Sequence, residues 1–179
     1  MAALAAGRRN PVFRAVEFLS NLAGYASALA ILLATLVIVE QVVVRYVLHQ
    51  PTIWQVEFAV YLLIAATFLG AAYGLKENSH INIELVTVHL PSGVKRWLDL
   101  FTSVIALWFC AYLAWKGAVM WWEAYEGGWR TSSLWSIPLT YPYAILPIGM
   151  GITSLQYVVK IADRLTELRG SRPGAAGKG

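Results

Sequence analysis

The sequence predicts an all-α integral membrane protein of four transmembrane helices with both termini cytoplasmic. Of its 179 residues, 58% are hydrophobic and 13% charged, and the mean hydropathy is +0.57, outside the usual composition of soluble domains. Apolar segments at about 18–44, 53–75, 92–126 and 138–161 are each long enough to cross hydrocarbon, which takes about 20 helical residues. Basic residues are also segregated. Arg8, Arg9, Arg14, Lys76, Lys95, Arg96, Lys160, Arg164, Arg169, Arg172 and Lys178 fall on one side of the four segments, against Arg45, Lys116 and Arg130 on the other. Lysine and arginine are retained in the cytoplasm, so that side is inside. The net charge of +4 therefore reports topology, and no nucleic-acid partner is expected.

The first segment follows a basic N-terminus and is uncharged between Glu17 and Glu40. It is too long for the apolar core of a signal peptide and has no convincing small-residue cleavage site after it, so it is expected to stay as a helix. Its far end carries Gln41 and Arg45, one helical turn apart. The short connection to Pro51 brings Arg45 back towards Glu57, and a bridge between these two is expected to fix the hairpin. Snorkelling of Arg45 to a phospholipid headgroup is the alternative.

The second segment, from Ile53 to Leu75, carries Glu57. An acid deep in hydrocarbon is costly, but Glu57 lies only about 6–8 Å inside the helix, near the positive end of its dipole. Ala66, Gly70 and Gly74 recur every four residues and leave a groove for a neighbouring helix backbone. Lys76 marks the exit. The stretch 79–90 alternates like a strand at first, yet Ile81, Leu85 and Val88 share a helical face. A short interfacial helix capped by Ser79 is the favoured expectation.

The third segment starts after Pro91-Ser92 and runs to about residue 126, with Asp99 one turn beyond Lys95 and able to pair with it. Gly127-Gly128 ends it. The fourth opens at Pro138 and contains Pro142 and Pro147, which predict a kink or an irregular start. Gly149-Met150-Gly151 lies in an apolar run with no preceding strand, so it belongs to helix packing rather than to a nucleotide site. Residues 1–161 thus form one four-helix domain, and 162–179 are expected to be a disordered cytoplasmic tail after a turn or two of helix.

Arg45-Tyr46, Trp54 with Glu57, Phe68-Leu69-Gly70-Ala71-Ala72, Lys76, His80-Ile81, Leu90-Pro91, Ser133-Leu134-Trp135-Ser136-Ile137-Pro138 and Pro147-Ile148-Gly149 together resemble the DctQ-like small membrane subunit of tripartite ATP-independent periplasmic (TRAP) transporters. One departure is visible: family members often carry two adjacent acids after the tryptophan, and here Val56 precedes Glu57. The resemblance implies an accessory subunit that braces a larger, polytopic TRAP subunit holding the sodium and substrate sites. It also implies a periplasmic substrate-binding protein that delivers an organic acid. Arg45, Trp54, Glu57, Ala66, Gly70, Gly74, Lys76 and His80 are the expected structural or subunit-interface residues. An aromatic belt accounts for the many tryptophans at one membrane face. The alternative is that Trp121, Trp122, Trp129 and Arg130 form a docking face for an extracytoplasmic partner, tryptophan and arginine being enriched at binding hot spots.

No convergent set of acids, bases and nucleophiles is legible, so no enzyme is expected. The three histidines lack helical metal-site spacing, and the single Cys110 excludes an internal disulfide or a CxxC pair. No metal or cofactor is expected. A self-sufficient four-helix homo-oligomeric transporter working through Glu57 is the competing function. A haem- or quinone-binding redox anchor would need histidines within the helices, and this chain has none there.

Overall fold

A computed structural model describes residues 11–77 and 92–170. It contains four helices: α1 (Pro11–Tyr46), α2 (Gln55–Glu77), α3 (Ser92–Glu126) and α4 (Thr140–Gly170). Each is long and apolar enough to span a bilayer, so the fold is the all-α membrane bundle that the sequence predicts. The expected interfacial segment 79–90, with Ser79 and His80, and residues 171–179 lie outside the described residues.

Local chemistry explains where the helices begin and end. Pro11 opens α1, where its missing N–H is lost to no partner and its fixed φ suits the first turn. At the other end, Gly127 donates its N–H to the Glu123 carbonyl and Gly128, at φ +57°, turns the chain out of α3. The start of α4 is irregular, as the prolines predict: Pro138 pairs with Arg130 in an isolated antiparallel bridge before the helix begins at Thr140. Pro147 lies inside α4, which continues past it.

The last helix, predicted over about 138–161 with a turn or two more before a disordered tail, runs to Gly170. Its Arg164 and the preceding Lys160 meet Asp99 of α3 at 2.9 and 3.8 Å, so charge pairing holds the helix where hydropathy fades. Asp99, expected to meet Lys95, is thus engaged by α4.

Packing joins α1 to α2, α2 to α4, and α4 to α3, with a lighter contact of α1 on α4. The interior is made of small residues. Along α1 the buried positions are Val16, Ser20, Ala23, Ser27, Ala30 and Ala34, at steps of four and three, the 3.5-residue period of a left-handed helix seam. Lipid tails are as apolar as leucine, so membrane helices gain by close backbone approach and by bonds between helices. Both are present. Ser27 donates to the Ala66 carbonyl at 2.7 Å and sits against Gly70. Gly149 of α4 lies against the Phe68 backbone of α2, and Gly117 of α3 against Leu146 and Pro147 of α4. Buried Ser20 donates to Gln156 Oε1 at 3.1 Å, linking α1 to α4, and Lys76 donates to Asn21 Oδ1 at 2.5 Å, linking α2 to α1.

Candidate functional site

The most elaborate polar arrangement among the described residues lies at the end of the bundle where α2 begins and α3 connects to α4. Residues 127–139 fold back on themselves. Thr131 N–H donates to the Ile137 carbonyl at 2.9 Å and Leu139 N–H to the Trp129 carbonyl at 2.9 Å. The Thr131 hydroxyl accepts from Ile137 N–H at 3.1 Å, and the Arg130 guanidinium donates to the Ser136 carbonyl at 3.2 Å. Ser136 adopts φ 48°, the left-handed conformation that tightens the turn.

Glu57 holds this loop to α2. Its Oε1 accepts from the Tyr61 hydroxyl one helical turn away, at 2.9 Å. Its Oε2 accepts from the Ser133 hydroxyl at 2.6 Å, and Ser133 in turn lies 2.9 Å from the Thr131 hydroxyl. Bonds to an ionised acceptor are shorter and stronger than neutral ones, so the carboxylate is a latch for the loop. Aromatic packing reinforces it: Trp135 from the loop meets Trp54, just before α2, and Phe58 of α2 at centroid separations of 6.0 and 6.2 Å. Between α2 and α4, beneath Trp135, lies an apolar recess of about 320 Å³ lined in part by Phe58, Tyr61, Ile137 and Ile145. The loop presents Leu134 outward, 90% exposed.

The expected Arg45–Glu57 bridge is therefore corrected. Arg45 is exposed in the last turn of α1, beside an open polar recess formed with His49, Gln50, Pro51 and Thr52. Glu57 finds hydroxyl donors instead, since the loop between α3 and α4 reaches it across 76 residues of sequence. Ala66 and Gly70 are occupied within the chain by Ser27 of α1, and Gly74 is half-buried on α2. Trp121 and Trp122 form a ring cluster with Tyr125 at the end of α3. Trp129 packs over Gly127, and Arg130 is bonded within the loop. Tyr61, Thr131 and Ser133 carry no direct signal in the sequence; only the clustering of hydroxyls in Thr131-Ser132-Ser133 hints at a polar partner.

Residues 34–167 match the family model described as tripartite ATP-independent periplasmic transporters, DctQ component. The chain belongs to the DctQ family. The Glu57 latch, the α3–α4 loop, all of α2 and α3, most of α4 and the last part of α1 fall inside the match. This DctQ chain is 28% identical over 152 residues to the ectoine TRAP transporter small permease protein TeaB of Halomonas elongata, covering 83% of this chain and 76% of that protein. It is 23% identical over 146 residues to the C4-dicarboxylate TRAP transporter small permease protein DctQ of Vibrio cholerae, covering 69% and 62%. A shorter match, 25% over 77 residues, covers 43% of this chain and 12% of the sialic acid TRAP transporter permease protein SiaT of Haemophilus influenzae. As a DctQ component the chain is a transporter membrane subunit and not an enzyme.

Proposed function

We propose that this DctQ chain is an accessory subunit that braces a larger sodium-coupled transport subunit in the bacterial inner membrane. The larger subunit imports an organic acid delivered by a periplasmic binding protein, and the present chain contributes a wall rather than a path. The observation that carries this is the interior itself. Alanine, glycine and serine close the space between α1, α2 and α4, and Glu57 has both oxygens engaged, one by Tyr61 of its own helix and one by Ser133 of the α3–α4 loop. A transport path would need ionisable or polar groups lining a way across. Both termini are cytoplasmic on the charge distribution of the sequence, which puts the Glu57 latch and Leu134 on the periplasmic face, where a soluble binding protein docks. The name of SiaT, a permease much longer than its match to this chain, supports a larger membrane partner.

The test is purification of the C-terminally tagged chain from its native membrane in mild detergent, with mass spectrometry of what remains bound. A much larger polytopic protein in fixed ratio is expected. Recovery of the chain alone as a homo-oligomer contradicts the proposal.

A further inference from the structure

Helix α3 has two faces of opposite character. Ser103, Cys110, Gly117 and Ala124 recur every seven residues; Ser103, Gly117 and Ala124 are buried and Cys110 half-buried, with Gly117 seated against α4. On the opposite side Phe101, Ile105, Trp108, Tyr112, Trp115, Val119 and Trp122 follow steps of four and three. All are exposed, Trp108 by 69% and Trp115 by 63%. An exposed apolar seam in a membrane helix faces lipid by default. Here its polar tips argue otherwise.

Between Asp99 and Glu123 the helix rises about 36 Å, and Tyr112 lies about 20 Å from the first and about 16 Å from the second. That places Tyr112, with Trp108 stacked on it at 5.9 Å, near the middle of a hydrocarbon layer about 30 Å thick. An aromatic belt explains tryptophans at headgroup depth, which suits Trp97 and Trp122 but not these two. Among the described residues, neither the Tyr112 hydroxyl nor the Trp108 and Trp115 indole N–H has a hydrogen-bond partner, and lipid tails offer none. Lys116 joins the same surface one turn beyond Tyr112. It is exposed, its ammonium lies 5.3 Å from the Trp115 ring centre, and among the described residues it meets no carboxylate. It sits about 10 Å short of Glu123 along the helix. The Trp108 and Trp115 indoles and the Lys116 ammonium can only donate, and the Tyr112 hydroxyl can donate or accept. The exposed side of α1 carries Phe18 and Tyr25 nearer Glu17, and its stretch through Leu29, Leu32 and Leu36 is aliphatic and suits lipid.

We propose that the aromatic face of α3 is covered by a transmembrane helix of the larger transport subunit that offers hydrogen-bond acceptors at mid-membrane depth and a carboxylate opposite Lys116. This rests on the accessory-subunit reading. A second copy of the chain is a poor occupant: two-fold pairing sets equivalent surfaces face to face, so Lys116 would meet Lys116 with no carboxylate opposite, and the indole N–H groups would find only the Tyr112 oxygen as an acceptor.

The experiment places a photo-crosslinking aromatic amino acid at position 108 or 112, and at 29 or 36 as controls, in the tagged chain in its native membrane. Crosslinks to the larger subunit are expected from 108 and 112 and not from 29 and 36. Lys116→Glu is expected to lower recovery of the larger subunit about tenfold, equivalent to about 1.4 kcal/mol, while Lys116→Arg retains it. Tyr112→Phe, which removes one hydroxyl and leaves packing intact, is expected to give a smaller loss. If the wild-type chain recovers the larger subunit but 108 and 112 crosslink lipid alone or a second copy, this assignment falls and the accessory role stands. Full recovery with Lys116→Glu also overturns it. If the wild-type chain recovers no larger subunit, the accessory role fails and this face assignment with it.

Discussion

Gly149→Ala lowers the stability of the bundle by about 2–3 kcal/mol, the upper part of the usual range for overpacking a tight contact. A Cβ built at Gly149 would lie 2.6 Å from the Phe68 carbonyl oxygen, 2.7 Å from its carbon and 2.8 Å from its Cβ. Two of those three atoms are helix backbone, so no rotamer change relieves the clash and α2 and α4 must move apart. The Gly149 carbonyl also accepts from Thr153 at 2.9 Å, tying the local geometry down. Gly151 provides the internal control. Nothing lies within 4 Å of its added Cβ, so Gly151→Ala gains about 0.5–1 kcal/mol through helix propensity alone. Denaturation of the two variants in the same detergent, followed by circular dichroism, should move their midpoints in opposite directions. Equal shifts would mean that α2 and α4 do not meet at Gly149.

Glu57→Ala frees the loop between α3 and α4 while leaving the helices intact. Loss of the carboxylate strands the Ser133 and Tyr61 hydroxyls, and with them the link from Ser133 to Thr131. Hydrogen exchange reads this directly, because Thr131 N–H and Leu139 N–H are held by backbone bonds within the loop. Both amides exchange faster in Glu57→Ala, and Ser133→Ala gives part of the same increase. Ser133→Ala adds nothing further in the Glu57→Ala background, since the two positions share one interaction. Unchanged loop protection in Glu57→Ala would remove the latch. Arg45→Ala leaves these amides as they are.

The four crossings and the α3 terminus were legible because hydrocarbon imposes a length and Gly127-Gly128 imposes a stop. The glycine at 149 was legible as a packing residue, but its partner was not: proximity of Phe68 to Gly149 follows from which helices neighbour each other, and hydropathy does not encode neighbours. Glu57 was legible as a residue needing a partner. Arg45, the expected partner, is the nearest opposite charge in sequence, whereas the carboxylate is satisfied by the Tyr61 hydroxyl one turn away and by the Ser133 hydroxyl of a distant loop. Asp99 shows the same effect at the other end of the bundle, taken by Arg164 and Lys160 across the α3–α4 contact. The extent of α4 was legible only as a turn or two beyond 161, because hydropathy fades there and the pairing of Lys160 and Arg164 with Asp99 is a tertiary contact.

Reconstitution into liposomes tests most directly whether this chain braces a transporter or is one. The purified chain alone, the co-purified larger subunit alone and the two together are compared for solute uptake driven by a sodium gradient with the cognate binding protein present. Bracing predicts no uptake by the chain alone and uptake by the pair, with Glu57→Gln slowing but not uncoupling it. Uptake by the chain alone, abolished in Glu57→Gln, would contradict the bracing role and make Glu57 the coupling group.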